Sequence, residues 1–342
     1  MAENENGMYG SKDYEIKSLE LINSGGQTVD LRRVFVEMQI FQDLYSSVMN
    51  GTILITDGND IFGNFYFVGN EYLRVKIDKP GLGRPLERMF RVYKSSDRHP
   101  ANDSGQTFIL HFCSDELVSS EQILVSKAYK STKIRNIVSD ILLKELNVDP
   151  TRIAKLEDTS GNFDFIIPNY RPFEAIQWVT GRGYDQKKFC YFFFENKNGF
   201  NLASLQSLIK QPPYKTIRYE LKNVNRDPAN NKDSIDNFEI ISDFDMINSI
   251  TNGSFASRML AVDIVKQTSN IYEYDLNIAE GQGNLLNKYK PVNSFKNSKN
   301  ETLFQAKNSF FRTYIETTES LTEKNSDIKN WLLPRSMHMI ML

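Results

Sequence analysis

Hydrophobic and polar positions alternate with a period of two over most of the first third of the chain. Tyr14 to Ile22 keeps this alternation and runs into the turn-forming cluster Asn23-Ser24-Gly25-Gly26. Val34 to Leu44 predicts a long second strand with Val34, Val36, Met38 and Ile40 on one face and Glu37 and Gln39 on the other. Asn50-Gly51 predicts a turn into Thr52–Thr56. From Glu71 to Asp78, Tyr72, Arg74 and Lys76 alternate against Leu73, Val75 and Ile77. Met89–Tyr93 and Phe108–Phe112 predict two further strands around the polar insert Ser95–Gln106, which contains Pro100 and Gly105. Short strands and turns at this spacing predict a β-barrel or sandwich over about residues 10–115.

From Ser114 the period lengthens. Ile134, Ile137, Val138, Ile141 and Leu142 form a helical stripe, with Ser131 or Thr132 as its cap and an end near Asn147 and Pro150. The segment Phe163–Gln211 then predicts a helix–hairpin unit. Pro172 suits the first helical turn, Glu174 meets the positive end of the helix dipole, and Phe173, Ile176 and Val179 share a face beside Trp178. Gly181 and Gly183 stop the helix. Phe189–Phe194 is apolar at every position, which predicts a strand covered on both faces. Asn198-Gly199 turns it into a second strand carrying Phe200 and Leu202. An α/β domain therefore extends to about residue 211, where Gln211-Pro212-Pro213 makes a stiff connector.

Strands return at Thr216–Tyr219 and Ile235–Ser242. In Ser242–Leu276, Asn252-Gly253 breaks the pattern, and Tyr272, Tyr274 and Leu276 alternate as a strand. Asn284–Asn300, rich in Asn, Lys and Ser, predicts an exposed loop. Phe304–Ile315 and Ile328–Leu342 read as helical, the latter kinked at Pro334. The final run Met339-Ile340-Met341-Leu342 has neither a closing turn nor a polar tail, and on that basis the sequence is expected to continue.

Composition narrows the function more than the fold. At 342 residues, 40% hydrophobic and 12% aromatic, the chain has material for about two to four cores. A formal charge of −2 lacks the broad basic excess of a phosphate-binding protein. The acidic start Met1-Ala2-Glu3-Asn4-Glu5-Asn6 is not the pattern of a secretory signal, and no apolar run approaches the roughly 20 residues that span a bilayer, so no membrane insertion is expected. Two cysteines, Cys113 and Cys190, argue against a disulfide scaffold.

Candidate chemistry is sparse. Gly81-Leu82-Gly83, Gly181-Arg182-Gly183 and Gly281-Gln282-Gly283 lack the third glycine and the strand–turn–helix setting of a dinucleotide site. His111 and Cys113 share a strand face and could be two metal ligands, but His99, His338 and Cys190 follow no ligand spacing. Asp57-Gly58-Asn59-Asp60 has the flavour of a calcium loop without its twelve-residue pattern. Phe189–Phe194 could stack bases, yet without interleaved Lys or Arg it reads as core. No nucleophile elbow, zinc-protease or redox-cysteine motif occurs, so the residues call for no enzyme, no catalytic residue, no cofactor and no metal.

Four stretches in order carry a resemblance: YEIKSLELINSGGQTVDLRRVFVEMQIFQDLYSSVMNGTILITDGNDI leading into GNEYLRVKI, YKSTKIRNIVSDILLKEL, the helix–hairpin unit, and DNFEIISDFDMINSITNGSFASRMLAVDIV. Together they resemble the central baseplate hub protein of contractile-tailed bacteriophages, related to the base of type VI secretion spikes. That resemblance spans about residues 14–276. It implies an α+β multidomain chain with two β-barrel-like tube domains, an inserted α/β domain and a further mixed segment. The first tube domain would be 14–115 and the peripheral α/β domain 116–211. The second would start over 212–248, with a mixed insert at 249–324, and be completed near or beyond 325–342. The sequence departs from the family pattern where closing strands would be expected to follow.

The resemblance further implies a structural subunit of the virion tail baseplate, made in the host cytoplasm. It would form a homotrimer, a pseudo-sixfold ring joining tail tube proteins to the central spike, with the tape-measure protein and baseplate wedge as further contacts. DNA would pass through the lumen without specific binding. A tail-associated peptidoglycan hydrolase or a carbohydrate-binding tail module are the alternatives. Ser95–Gln106 and Asn284–Asn300 are the loops most suited to contacts.

Overall fold

The computed structural model describes residues 14–58, 63, 65, 67–78, 85–102, 105–183, 185, 190–213, 216–219, 234–235, 238–239, 247–248, 256–263, 267–275, 298–299 and 313–317. Among these the architecture is α+β and rich in strands, and the chain divides into two units. The first comprises Met1–Glu121, Glu195–Lys197 and Pro213–Ile240, and the second the remainder.

The first unit is built on one antiparallel sheet of β1 (Glu15–Ile22), β2 (Thr28–Asp30), β3 (Phe35–Phe41), β4 (Asn50–Asp57), β5 (Tyr72–Asp78), β6 (Leu86–Asn102) and β7 (Gly105–Ser114). A short helix, α1 (Asp115–Ser120), follows. Strand order is β2-β1-β5-β6-β7-β4-β3, so β2 and β3 are opposite edges although adjacent in sequence. A flat sheet of this width would separate those edges by about 29 Å. The chain from Asp30 to Phe35 reaches no more than about 18 Å when extended. The sheet must therefore curl. Leu31 links β1 to the start of β3: its N–H donates to Leu19 O at 2.8 Å, and its carbonyl accepts from Phe35 N at 2.9 Å. Thr56 N donates to Val34 O at 2.8 Å from the other side.

Alternation supplies the filling. Leu19 and Leu21, Leu73 and Val75, Phe90 and Val92, and Leu110 and Phe112 are all fully buried inside the curl. The Phe90 and Phe112 rings pack with centroids 4.9 Å apart. On the outer face, Glu20–Arg74 and Lys76–Glu87 form cross-strand ion pairs at 2.9 Å that are too exposed to contribute much stability.

Three features of this sheet differ from the sequence reading. Val36 is 60% exposed rather than packed with Met38 and Ile40, because a bulge between Phe35 and Glu37 shifts the parity and turns Phe35 inward. Asn50-Gly51 is not a turn but the first part of β4, paired with both β3 and β7. Glycine is required there by close approach, since a Cβ would lie 2.3 Å from Gln39 O and 2.4 Å from Phe112 Cζ. Ser95–Gln106 is not a loop insert: β6 runs on for 17 residues, and its pairing with β7 continues to Asn102↔Gly105. Register shifts at Val92/Lys94, Ser96/His99 and Pro100/Asn102 accommodate Pro100 and Asp97, whose φ is 53°.

The second unit begins with β8 (Val125–Thr132), then α2 (Ile134–Asp140), which continues as a π turn over Ile141–Glu145, and a 3-10 turn (Pro150–Arg152). β9 (Ile153–Leu156), β10 (Phe163–Tyr170), α3 (Pro172–Thr180), β11 (Tyr191–Asn196), β12 (Gly199–Ser204) and α4 (Leu205–Ile209) follow. The β11 residues Glu195 and Asn196 fall in the first unit. The stripe Ile134, Ile137, Val138, Ile141 and Leu142 is fully buried, as its spacing requires. Its cap is neither Ser131 nor Thr132 but Lys133, which has extended φ and ψ and makes no side-chain cap. Ser131 is instead held at φ 49° with its N–H on Asp164 Oδ1, and the Thr132 hydroxyl turns back to Lys130 O.

α3 matches its sequence signals: Pro172 is in the first turn, and the Glu174 carboxylate accepts from the Arg171 backbone N–H at 3.3 Å. Phe173, Ile176 and Val179 are buried on one face. β11 and β12 form a sheet with β9 in which Tyr191–Glu195 and all of β12 are buried. The two-face burial predicted for Phe189–Phe194 holds from Tyr191 onward, and Phe189 lies outside the described residues.

β13 (Arg218–Tyr219) and β14 (Ser234–Ile235) pair in parallel in the first unit. β15 (Ala256–Asp263), β16 (Thr268–Asp275) and β17 (Thr313–Thr317) make a three-stranded sheet in the second. Tyr272 and Tyr274 are in a strand as expected. The end of the Phe304–Ile315 segment is strand rather than helix, since Thr313–Thr317 pairs in parallel with β15. In the expected strand Ile235–Ser242, Phe238 and Glu239 are not in a strand. Ile328–Leu342 and nearly all of Asn284–Asn300 lie outside the described residues.

The Gly51→Ala substitution is expected to cost about 3 kcal/mol, because a Cβ there collides with backbone and an immobile ring. Urea unfolding monitored by circular dichroism checks this, and a variant as stable as the parent would contradict the close approach.

Candidate functional site

Several of the candidate residues are packed into the fold. His111 and Cys113 lie on the outward side of β7, opposite the core residues Leu110 and Phe112. Cys113 is nonetheless 1% exposed, and burial pushes its thiol up to about 12, so it is a protonated packing group rather than a thiolate ligand. Cys190 in the second unit is buried likewise, with its thiol also pushed up to about 12. His99 pairs with Thr107 on β6, and His338 lies outside the described residues. Among the described residues no three His, Cys, Asp or Glu side chains are grouped to hold a metal.

Gly181-Arg182-Gly183 closes the C-terminus of α3, where a phosphate would meet the wrong end of the helix dipole. The Arg182 guanidinium lies 4.1 Å above the Trp178 ring and donates to Trp178 O. The other two G-x-G pairs lie outside the described residues. Asp57 ends β4 with 4% exposure, and Asn59 and Asp60 are not described. The aromatic strand is core: Phe193 stacks on Phe200 at 5.7 Å, and Phe173 packs 6.1 Å from Phe193.

Two polar constellations emerge only in the fold. Ser96 Oγ sits 2.8 Å from His111 Nε2, because the β6–β7 register opposes Lys94 to His111 and leaves Ser96 on the diagonal. This has the spacing of a nucleophile and its base. The Ser96 hydroxyl, however, donates to Asp97 Oδ2 at 3.0 Å, which leaves His111 Nε2 as the donor to Ser96. That polarity is the reverse of what activation needs.

The second lies between β8 and α2. Asp140 accepts from Lys127 Nζ at 2.5 Å, Tyr129 OH at 2.8 Å and Lys144 Nζ at 2.6 Å. Glu145 lies 3.4 Å from the same Lys127. Burial alone would raise the Asp140 carboxyl, but the hydrogen bonds from Lys127, Lys144 and Tyr129 outweigh it and hold the group at about 2. Tyr129 is pushed up by burial and by its bond to Asp140, and Lys127 by that same bond. The cluster fastens strand to helix and leaves no unpaired base.

What the first unit does present is an edge. β3 is the terminal strand of the curled sheet, so its outer backbone edge has no strand partner among the described residues. Val36 is 60% exposed, Phe41 49%, and Leu44 and Tyr45 beyond it are also exposed. The opposite edge strand, β2, has only three residues. A seven-residue edge bearing exposed apolar side chains and no proline is the arrangement that pairs with another chain. No helix among the described residues is long and apolar enough to cross a membrane.

No family model matches this sequence, and no curated protein is similar to it in sequence. Solved structures are similar in fold. A tail protein from Neisseria meningitidis MC58 superposes with a TM-score of 0.52 at 10% identity, covering 95% of this chain and 75% of that one. The 43 kDa tail protein of prophage MuSo2 from Shewanella oneidensis follows at 0.44, with 10% identity over 93% of this chain and 77% of its own. A component of the E. coli type VI secretion system, described as similar to T4 tail proteins, reaches 0.36 at 9% identity over 62% of this chain and 52% of its own. Of these three, the first superposes closely enough to bear on the fold, and at that identity it bears on nothing else.

Asp140→Asn is expected to lower stability at neutral pH. A carboxyl depressed from 3.8 to about 2 in the folded state stabilises above its unfolded value and loses that contribution as pH falls between the two. Thermal midpoints of parent and variant should therefore converge across that acid window. A constant difference down to the lowest pH would mean the network is not what depresses the group.

Proposed function

We propose that this chain is a structural subunit of a phage-tail or related injection apparatus, acting as the hub that joins a tail tube to a central spike. The observation that carries this reading is the fold likeness, over nearly the whole chain, to the Neisseria tail protein. The residue-level resemblance to baseplate hub proteins points the same way. In this reading 14–115 is a first tube domain, 116–211 a peripheral α/β domain, and 212–248 the start of a second tube domain with an insert at 249–324. Three copies form a pseudo-sixfold ring whose lumen passes DNA without specific binding, in contact with tube, spike, tape-measure and wedge proteins.

The physics is compatible. A ring built from curled sheets needs an open edge on each copy, and β3 supplies one with exposed Val36 and Phe41. A formal charge of −2 suits a conduit, because tight nonspecific DNA binding comes from neutralising phosphates with Lys and Arg. The Ser96–His111 pair does not favour the hydrolase alternative, since its proton runs towards Asp97.

Analytical ultracentrifugation with negative-stain electron microscopy tests the proposal. A concentration-dependent trimer and threefold rings with a central hole are expected. Phe41→Asp, at a position 49% exposed, should weaken association while leaving the thermal midpoint of the subunit unchanged. Monomers at every concentration, with and without spike protein, would contradict the ring, and salt-sensitive retention of DNA would contradict the conduit.

A further inference from the structure

Among the described residues, the sheet of the first unit offers an incoming chain three stretches of strand without a neighbour. β2 has only three residues. β6 has no β5 partner beyond Arg91, but that half of it carries register shifts at Val92/Lys94, Ser96/His99 and Pro100/Asn102 and lacks an N–H at Pro100. Both stretches resist an added strand. β3 has seven residues, one charge and no proline.

The open backbone groups of β3 follow from the way β4 divides its own. Ser114 N donates to Met49 O and Thr56 N donates to Val34 O. Odd positions along β4 therefore turn to β7, and even positions turn to β3. Asn50, Thr52 and Leu54 take up the N–H and C=O groups of Phe41, Gln39 and Glu37. Those of Met38 and Ile40 point off the sheet.

Strand addition must set open groups against open groups, which leaves few antiparallel registers for two copies of β3. With Met38 facing Met38 of the second copy, Glu37 faces Gln39 and Val36 faces Ile40. Glu37 and Gln39 are exposed, and within one copy the Gln39 amide already donates to the Glu37 carboxylate at 2.5 Å, so the pair is chemically matched. Carried past the strand ends, the same register brings Arg33 towards Asp43 of the second copy, twice by symmetry. A shift of two residues one way sets Glu37 against Glu37, and a shift the other way loses the match of Arg33 with Asp43.

We propose that β3 is a self-complementary edge, at which a free subunit pairs with a second copy about a twofold axis at Met38. The contact is isologous and needs no other protein. It does not depend on the ring, which draws on the same edge, so pair and ring are alternative uses of β3. Pairing covers the exposed Val36 and Phe41 until a ring forms.

Oxidative cross-linking of full-length Glu37→Cys and Gln39→Cys chains, each alone and as an equal mixture, tests the register. Facing residues of the non-hydrogen-bonded kind lie about 4.5 Å apart at Cα, within disulfide reach. The native Cys113 and Cys190 are buried and give little background. Both variants should keep the parental thermal midpoint, since both side chains are exposed. The mixture is expected to give at least about tenfold more disulfide-linked dimer than either variant alone, with peptide mapping locating the bond at 37–39. Equal cross-linking of one variant alone overturns the register, and no cross-linking overturns the pairing. Threefold rings without the mixed disulfide overturn the pairing and leave the ring standing. The mixed disulfide without rings supports the pairing and counts against the ring.

Discussion

The first unit depends on a shortage of chain. Five peptide steps from Asp30 to Phe35 must join opposite edges of a seven-stranded sheet, and no flat arrangement permits it. Curl is thus imposed by connectivity before any side chain is considered. The side chains then confirm it, because an inward face of Leu19, Val75, Phe90, Leu110 and Phe112 finds its partners across the curl rather than on a second layer. Leu31 sits where the constraint is tightest. Fully buried, it uses its N–H on β1 and its carbonyl on the start of β3, so one residue ties those two strands together.

Polar groups in the interior follow the same economy. Glu195, 1% exposed, accepts from Met49 N at 2.9 Å and from Ser114 Oγ at 2.5 Å within the first unit. Glu157 in the second accepts from the backbone and hydroxyl of Ser204 and from Ser207 Oγ at 2.7 Å. Each buried carboxyl group meets N–H and O–H donors, which is the condition for keeping a polar group inside.

What was legible in the sequence was local. Helix α3 could be read from Pro172, Glu174 and the Phe173–Ile176–Val179 spacing because each signal acts within one or two turns. The buried hairpin was legible because four consecutive aromatic positions leave no face for water. Errors arose where distant partners decide. Gly51 looks like a turn glycine until Gln39 and Phe112 are placed against it. Val36 belongs to the apolar face by parity, and only the β3–β4 bulge turns it out. β8, with Lys127, Lys130 and Ser131 in its run, is too polar to announce itself, and its strand character comes from pairing with β10. The Ser96–His111 contact requires a register that no spacing rule supplies. Among the described residues, Gly181-Arg182-Gly183 closes a helix and Cys113 and Cys190 are packed thiols, so these motifs serve the fold. The open edge was invisible because edges are a property of strand order.

The strand order also bears on synthesis. The neighbours of β1 and β4 across the sheet are β5 and β7, both far downstream in sequence. As the chain leaves the ribosome, β1–β2 and β3–β4 can pair at once, but the curl cannot close until β7 has emerged, a long-range step of the kind that slows folding. Until then the nascent chain carries several bare edges with apolar faces, all competent to capture a neighbouring copy in the wrong register. Spacing between ribosomes, or a chaperone that holds the first four strands until the last arrives, would limit such capture.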